Sequence, residues 1–94
     1  MDSQGRRILI VEDERGLRQA SAIALQRQGY TVFTAADGQE GLRLARAEAP
    51  DLIVLDLLMP RPTGLDVLRT LRAEEWGRQI AVPVVSNSSM QRIV

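Results

Sequence analysis

Cysteine, histidine and lysine are all missing from this 94-residue sequence. Without cysteine there is neither a disulfide framework nor a thiolate metal site. Without histidine, the usual general base and the commonest metal ligand are gone. All twelve basic residues are arginine, which by itself reads as genome composition. Twelve acidic residues cancel them, for a net charge of zero, so no overall field draws the chain toward nucleic acid or an anionic membrane. No apolar run approaches the roughly 18 residues that span a bilayer, and no signal peptide opens the chain. The expected setting is cytoplasmic, with no membrane contact. The length suits one domain over residues 1–94, with a polar lead at residues 1–6. At this size about two-thirds of the unfolded surface can be buried, enough for one modest core.

What is present is organised around Asp51-Leu52-Ile53-Val54-Leu55-Asp56-Leu57-Leu58-Met59-Pro60. Leu52 to Leu55 is an unbroken apolar run, the pattern of a strand buried on both faces of a parallel sheet. Asp56 follows at once, then a turn marked by Pro60, Pro62 and Gly64. A carboxylate therefore stands at the carboxyl end of a central strand, where ligands bind in open α/β sheets.

Taken in order, Ile8-Leu9-Ile10-Val11 is a second buried strand and ends in Glu12-Asp13-Glu14. A helix follows, with Leu17, Ala20, Ala24 and Leu25 as its apolar stripe and Gly29 as its stop. Thr31 to Ala35 mixes β-branched residues and hydroxyls and suits an edge strand. Asp37-Gly38-Gln39-Glu40 has the form of a capping box. It opens a helix with Leu42, Ala45 and Ala49 on one face, stopped by Pro50. Thr63 to Asp66 starts a third helix with Leu65, Leu68 and Leu71 inward, fading near Trp76. Ile80 to Val85 reads as a fourth strand, in which Pro83 belongs at an edge or a strand start. Ser86 to Ser89 is a polar loop, and Met90 to Val94 begins a helix. Strands alternating with helices specify a parallel sheet with right-handed crossovers.

In such a sheet the residues just past the first and third strands share one edge. Glu12 and Asp13 then face Asp56 across a cleft. Three carboxylates together repel one another, and burying them uncompensated is costly. A cation relieves both problems. A few hard oxygen ligands with room for water suit Mg²⁺, with Asp13 and Asp56 direct, Glu12 through a water, and a backbone carbonyl just past Asp56 as a further ligand.

These pieces resemble the receiver domain of two-component response regulators. The matching stretches are Ile8 to Glu14, then Asp51 to Pro60 with Gly64 eight residues after Asp56, then Val82-Pro83-Val84-Val85 followed by Ser88. The resemblance implies a flavodoxin-like, doubly wound parallel sheet of order 2-1-3-4. It implies Asp56 as phosphoacceptor from a sensor histidine kinase or phosphotransfer protein. Glu12, Asp13, Asp56 and the Leu58 backbone carbonyl would hold Mg²⁺, and Ser88 would be the hydroxyl that meets the new phosphoryl oxygens. Phosphoryl transfer needs an in-line nucleophile and a cation to neutralise oxygen charge, so the absence of histidine is no obstacle. Receivers continue with a fifth strand, carrying a lysine that pairs with the phosphoryl group, and a fifth helix. This chain ends first and has no lysine, so it is expected to be a C-terminally truncated receiver.

The function expected is a regulatory domain of a phosphorelay, not a turnover enzyme. A haloacid-dehalogenase-type phosphatase needs a second Asp two residues after its nucleophile, and that position is Leu58. The alternative is a phosphorylation-independent receiver-like module for dimerisation or scaffolding. The arginines form no tract, so no direct nucleic-acid binding is expected of this chain. Without a fifth strand and helix, the fourth strand would present an open edge beside an uncovered apolar face. A homo-oligomer through that side is therefore expected.

Overall fold

The computed structural model describes residues 5–86 and 89–93, with side chains as far as residue 84. The two unbroken branched runs form β1 (Arg7–Val11) and β3 (Leu52–Asp56), side by side. β2 (Thr31–Ala35) pairs with the far side of β1 and is an edge, as its mixed polarity suggested. β4 (Pro83–Ser86) pairs with β3, so four parallel strands run in the order β2-β1-β3-β4. β4 is shorter than expected at its start. Pro83, which cannot donate to a ladder, is its first residue, and Ala81 makes only an isolated bridge to Leu52.

Three helices connect these strands: α1 (Arg15–Arg27), α2 (Gly38–Glu48) and α3 (Gly64–Ala73). The Glu14 carboxylate caps α1 by accepting from the N–H groups of Gly16 and Leu17. Asp37 caps α2 by accepting from Glu40 N–H, but the Glu40 carboxylate turns to Arg43 instead of reaching back, so only half of the expected box forms. The reciprocal box belongs to α3, where Thr63 and Asp66 each accept from the other's backbone. Past α1, Gly29 adopts φ 97°, the left-handed conformation that ends many helices.

Right-handed crossovers place α1 on one face of the sheet and α2 and α3 on the other. Side chains alternate along each strand. On the α2–α3 face, Leu9, Val11, Ile53, Leu55 and Val84 join Val67 and Leu71 in one buried layer. On the α1 face, Ile8 and Ile10 are only 3% and 2% exposed, whereas Leu52 and Val54 stay half-buried and α1 has no fully buried residue.

Helix phases differ from the sequence expectation in detail. In α1 the half-buried line is Leu17, Ser21 and Leu25, while Ala20 and Ala24 are exposed. In α2, Leu42 is half-buried and Ala45 buried, but Ala49 is the exposed left-handed cap. In α3, Val67 and Leu71 point inward and Leu65 is 46% exposed. The phase of α3 is set by Gly64, whose backbone lies directly on that of Asp56 and Leu57. With the first turn held there, Val67 meets the core.

The C-terminal segment departs from expectation. Residues expected to begin a helix form β5 (Ser89–Ile93), antiparallel to β4. Five residues are too few to sustain a helix without strong tertiary support, and β4 offers a row of unpaired backbone groups. Pro83 pairs with Ile93 and Ser86 with Ser89, with a register irregularity between Val84 and Val85. The β4 edge expected to be open is thus covered by the chain itself.

A Cβ at Gly64 would collide with the Asp56 carbonyl oxygen. Gly64→Ala is expected to lower stability by about 1–3 kcal/mol in urea denaturation. At Gly16 the same change meets only the flexible Glu14 carboxylate at 3.3 Å and gains helix propensity. It should stay within about 1 kcal/mol of the parent. A Gly64→Ala chain as stable as the parent would show that α3 can shift freely over Asp56.

Candidate functional site

Strand register decides which side chains meet. Val11 is paired with Leu55 across β1 and β3, so the next residues, Glu12 and Asp56, emerge side by side at the same end of the sheet. Asp13 follows Glu12. One carboxylate oxygen from each of Glu12, Asp13 and Asp56 lies within 4.8 Å of the others. Glu12 and Asp56 are buried, at 5% and 7% exposure, while Asp13 is exposed.

Backbone groups fix each acid. Glu12 N–H donates to the Ala35 carbonyl of β2, extending the parallel ladder one residue past β1. Glu14 N–H donates to Glu12 Oε2 at 3.1 Å. Leu58 N–H donates to Asp56 Oδ1 at 2.9 Å. The Arg18 guanidinium, in the first turns of α1, donates to the Glu12 carbonyl at 2.9 Å and more weakly to the Asp13 carbonyl at 3.4 Å. Beneath the cluster, Met59 is 2% exposed and anchors the turn after β3, while Leu58 stands out at 58% exposure as its rim.

Burial pushes the Glu12 carboxyl up to about 7, and the neighbouring Asp56 and Asp13 carboxyls push the same way; the hydrogen bond from Glu14 N–H works against them. The direction is that of a group starved of positive charge. The ion pairs Arg7–Glu48, Arg43–Glu40 and Arg46–Glu74 lie elsewhere. A hard divalent cation fits this donor set: three carboxylates converge, two of them are already desolvated, and the exposed side at Asp13 leaves room for water.

The three acids singled out from sequence are therefore brought together. Leu58 is placed beside them, its N–H engaged by Asp56. Ser88 lies outside the described residues. Sequence reasoning gave Arg18 no role. The only available signal was an arginine six residues after Glu12, too common a pattern to act on. It also read Gly64 as a turn marker and part of a spacing, not as the point where α3 touches the Asp56 backbone.

Comparison with known proteins agrees with this geometry. The sequence profile of the response regulator receiver domain matches residues 8–94. A Mycobacterium tuberculosis protein named "Probable transcriptional regulatory protein TcrX" is 36% identical over 92 residues, which is 98% of this chain and 39% of TcrX. The alkaline phosphatase synthesis transcriptional regulatory protein PhoP of Bacillus subtilis is 43% identical over 70 residues, 74% of this chain and 29% of PhoP. The chain thus spans well under half the length of these relatives. The crystal structure of Vibrio cholerae chemotaxis protein CheY4 superposes with a TM-score of 0.85 at 30% identity, over 90% of this chain and 71% of that one. With the fold, the acid cluster and these likenesses in agreement, the chain belongs to the response regulator receiver domain family, signalling modules of two-component systems that are phosphorylated by a kinase.

Proposed function

We propose that Asp56 accepts a phosphoryl group from a phosphohistidine on a sensor histidine kinase or a phosphotransfer protein. A P–N bond to imidazole breaks and a P–O bond to Asp56 forms. What supports this reading above all is the convergence of Glu12, Asp13 and Asp56 at adjacent strand ends, with two of the three buried. Leu58 N–H occupies Asp56 Oδ1, which fixes the carboxylate's rotation and leaves Oδ2 as the attacking atom. Glu12, Asp13, Asp56 and the Leu58 carbonyl would hold Mg²⁺, which when bound neutralises charge on the transferring oxygens. Ser88 is assigned as the hydroxyl that meets the phosphoryl group. The domain is taken as residues 1–94, regulatory and not a turnover enzyme, acting in the cytoplasm without direct contact to nucleic acid. Its twelve arginines are balanced by twelve acids.

One observation favours a second reading, a phosphorylation-independent receiver-like module for dimerisation or scaffolding. β5 covers the β4 edge, so self-association would use the α1 face, where Leu52 and Val54 are half-buried and Ile23 is 49% exposed. Light scattering at micromolar concentration tests it: a homo-oligomer that ignores phosphoryl donors supports the second reading, and a monomer removes it.

Millimolar Mg²⁺ should raise the melting temperature. Binding to the folded state alone contributes roughly 2.7 kcal/mol at a hundred times the dissociation constant. Asp56→Asn should weaken that response while raising metal-free stability, because it removes one of three repelling charges. A melting temperature indifferent to Mg²⁺ would sink the site.

Folding raises the Glu12 pKa from 4.5 to about 7. The protonated carboxyl is therefore favoured in the folded state. Its contribution to stability is complete below the unfolded value and is lost as pH rises through about 7. Metal-free protein should lose stability across this window, and the Mg²⁺-induced rise in melting temperature should be larger at about pH 8 than at about pH 6, since the metal needs the ionised form. Equal Mg²⁺ effects at the two pH values would exclude Glu12 from the metal site.

Incubation with acetyl phosphate should add one phosphoryl group, seen by mass spectrometry, and Asp56→Asn should abolish it. Beryllofluoride binding followed by NMR is the matching equilibrium test. Trp76 is a poor reporter, since it follows the far end of α3, a helix of ten residues spanning roughly 15 Å from Gly64. An adduct that persists in Asp56→Asn would overturn the assignment of Asp56.

A further inference from the structure

The three-residue connection from β1 to α1, Glu12-Asp13-Glu14, is entirely acidic, so left alone it should splay apart. It is held by an unusual number of bonds for its length. Glu12 N–H is tied to Ala35, Glu14 N–H to the Glu12 carboxylate, and the Glu14 carbonyl receives Arg18 N–H. The Glu14 carboxylate is spent on capping α1. The carbonyls of Glu12 and Asp13 are both approached by a single atom, Nη1 of half-buried Arg18, at 2.9 and 3.4 Å.

We infer that Arg18 is a positioning residue for the cation site: by drawing the Glu12 and Asp13 carbonyls toward α1, it turns their carboxylates toward Asp56. The inference rests on the metal reading proposed above. It concerns residues that hold the ligands rather than the ligands themselves, and such outer supports matter for affinity: their loss typically weakens metal binding by roughly 10–100-fold.

Two effects of Arg18 oppose each other, and this makes the idea testable. As a positive charge beside a cation site, it repels Mg²⁺, so removing it should tighten binding. As an anchor for the two carbonyls, it organises the ligands, so removing it should loosen binding. A single donor at 2.9 Å on the carbonyl of a ligand residue acts on geometry directly, whereas its charge acts through a site open to solvent at Asp13, where screening is effective. The geometric effect should win.

The experiment is calorimetric titration of Mg²⁺ into the full 94-residue chain, with Arg18→Met and Arg18→Lys beside the parent and circular dichroism to confirm folding. Methionine keeps much of the apolar stem without donor or charge. Lysine keeps the charge but carries its nitrogen one bond nearer the backbone than Nη1, so it reaches the two carbonyls less well. Positioning requires Arg18→Met to bind Mg²⁺ roughly ten-fold or more weakly, with Arg18→Lys in between. In metal-free protein the amides of Asp13 and Glu14 should exchange faster in Arg18→Met, which a pure charge effect would not produce. Should Arg18→Met fail to fold, Arg18→Lys decides: several-fold weaker binding supports the role, and parental binding overturns it. Equal or tighter binding by Arg18→Met overturns it while leaving the metal site standing. A parent chain that binds no Mg²⁺ overturns both readings together.

Discussion

Repulsion between carboxylates brought together by strand register is the constraint on which the rest of this structure depends. Once β1 and β3 pair in parallel with Val11 opposite Leu55, Glu12 and Asp56 have nowhere to go but beside each other. That pairing is itself dictated by apolar burial, since Leu9, Val11, Ile53 and Leu55 are all at most 1% exposed and each strand reads as hydrophobic on both faces. The core's preference for this register is collective, so it overrides the local preference of two acids to separate. The result is a site in which burial first, and the neighbouring acids second, push the Glu12 carboxyl up, a strain that positive charge from a metal would relieve.

The α2–α3 face supplies the rigidity that such a site needs. Gly41 lets α2 approach Val11 so closely that a Cβ would lie 2.8 Å from its methyl group, and at Gly38 a Cβ would lie 2.6 Å from a methyl of Val67. Gly64 brings α3 onto the backbone of Asp56 itself. Small residues at these points are what close backbone packing requires. They place the start of α2 against α3 and the start of α3 against the strand end that carries the acid. The α1 face is looser, with no fully buried helix residue, yet it supplies Arg18 to the loop on the other side of the cleft.

Legibility followed the physical range of each signal. The runs Ile8 to Val11 and Leu52 to Leu55 announced the central strands because burial on both faces leaves no alternative to continuous apolar residues. The acids after them announced the cluster because topology converts two strand ends into one edge. The helix phases were less readable: Leu65 and Val67 are both reasonable inward choices in the sequence, and only the contact of Gly64 with Asp56 selects Val67. The residues from Met90 on were read as the start of a helix, and Ser89 as loop, because local propensity was the only guide. Their observed state is set by β4, a non-local partner. Arg18 was invisible for the same reason, since its bonds go to backbone carbonyls, and any residue could supply those.

The sheet is not equally regular on the two sides of the acid cluster. Asp56 is paired with Val85 of β4, and it is between Val84 and Val85 that the β4–β5 register slips. On the other side, Glu12 adjoins β1 and β2 through the regular pairs Ile10–Thr34 and Val11–Ala35 and the bond to Ala35. Bulges concentrate local twist and leave a residue without regular pairing, and here the unmatched residue is Gln91 of β5, between Met90 and Arg92. The irregular ladder is that of β4 with β5, whereas β1, with its acidic loop, is held by regular pairs on both sides.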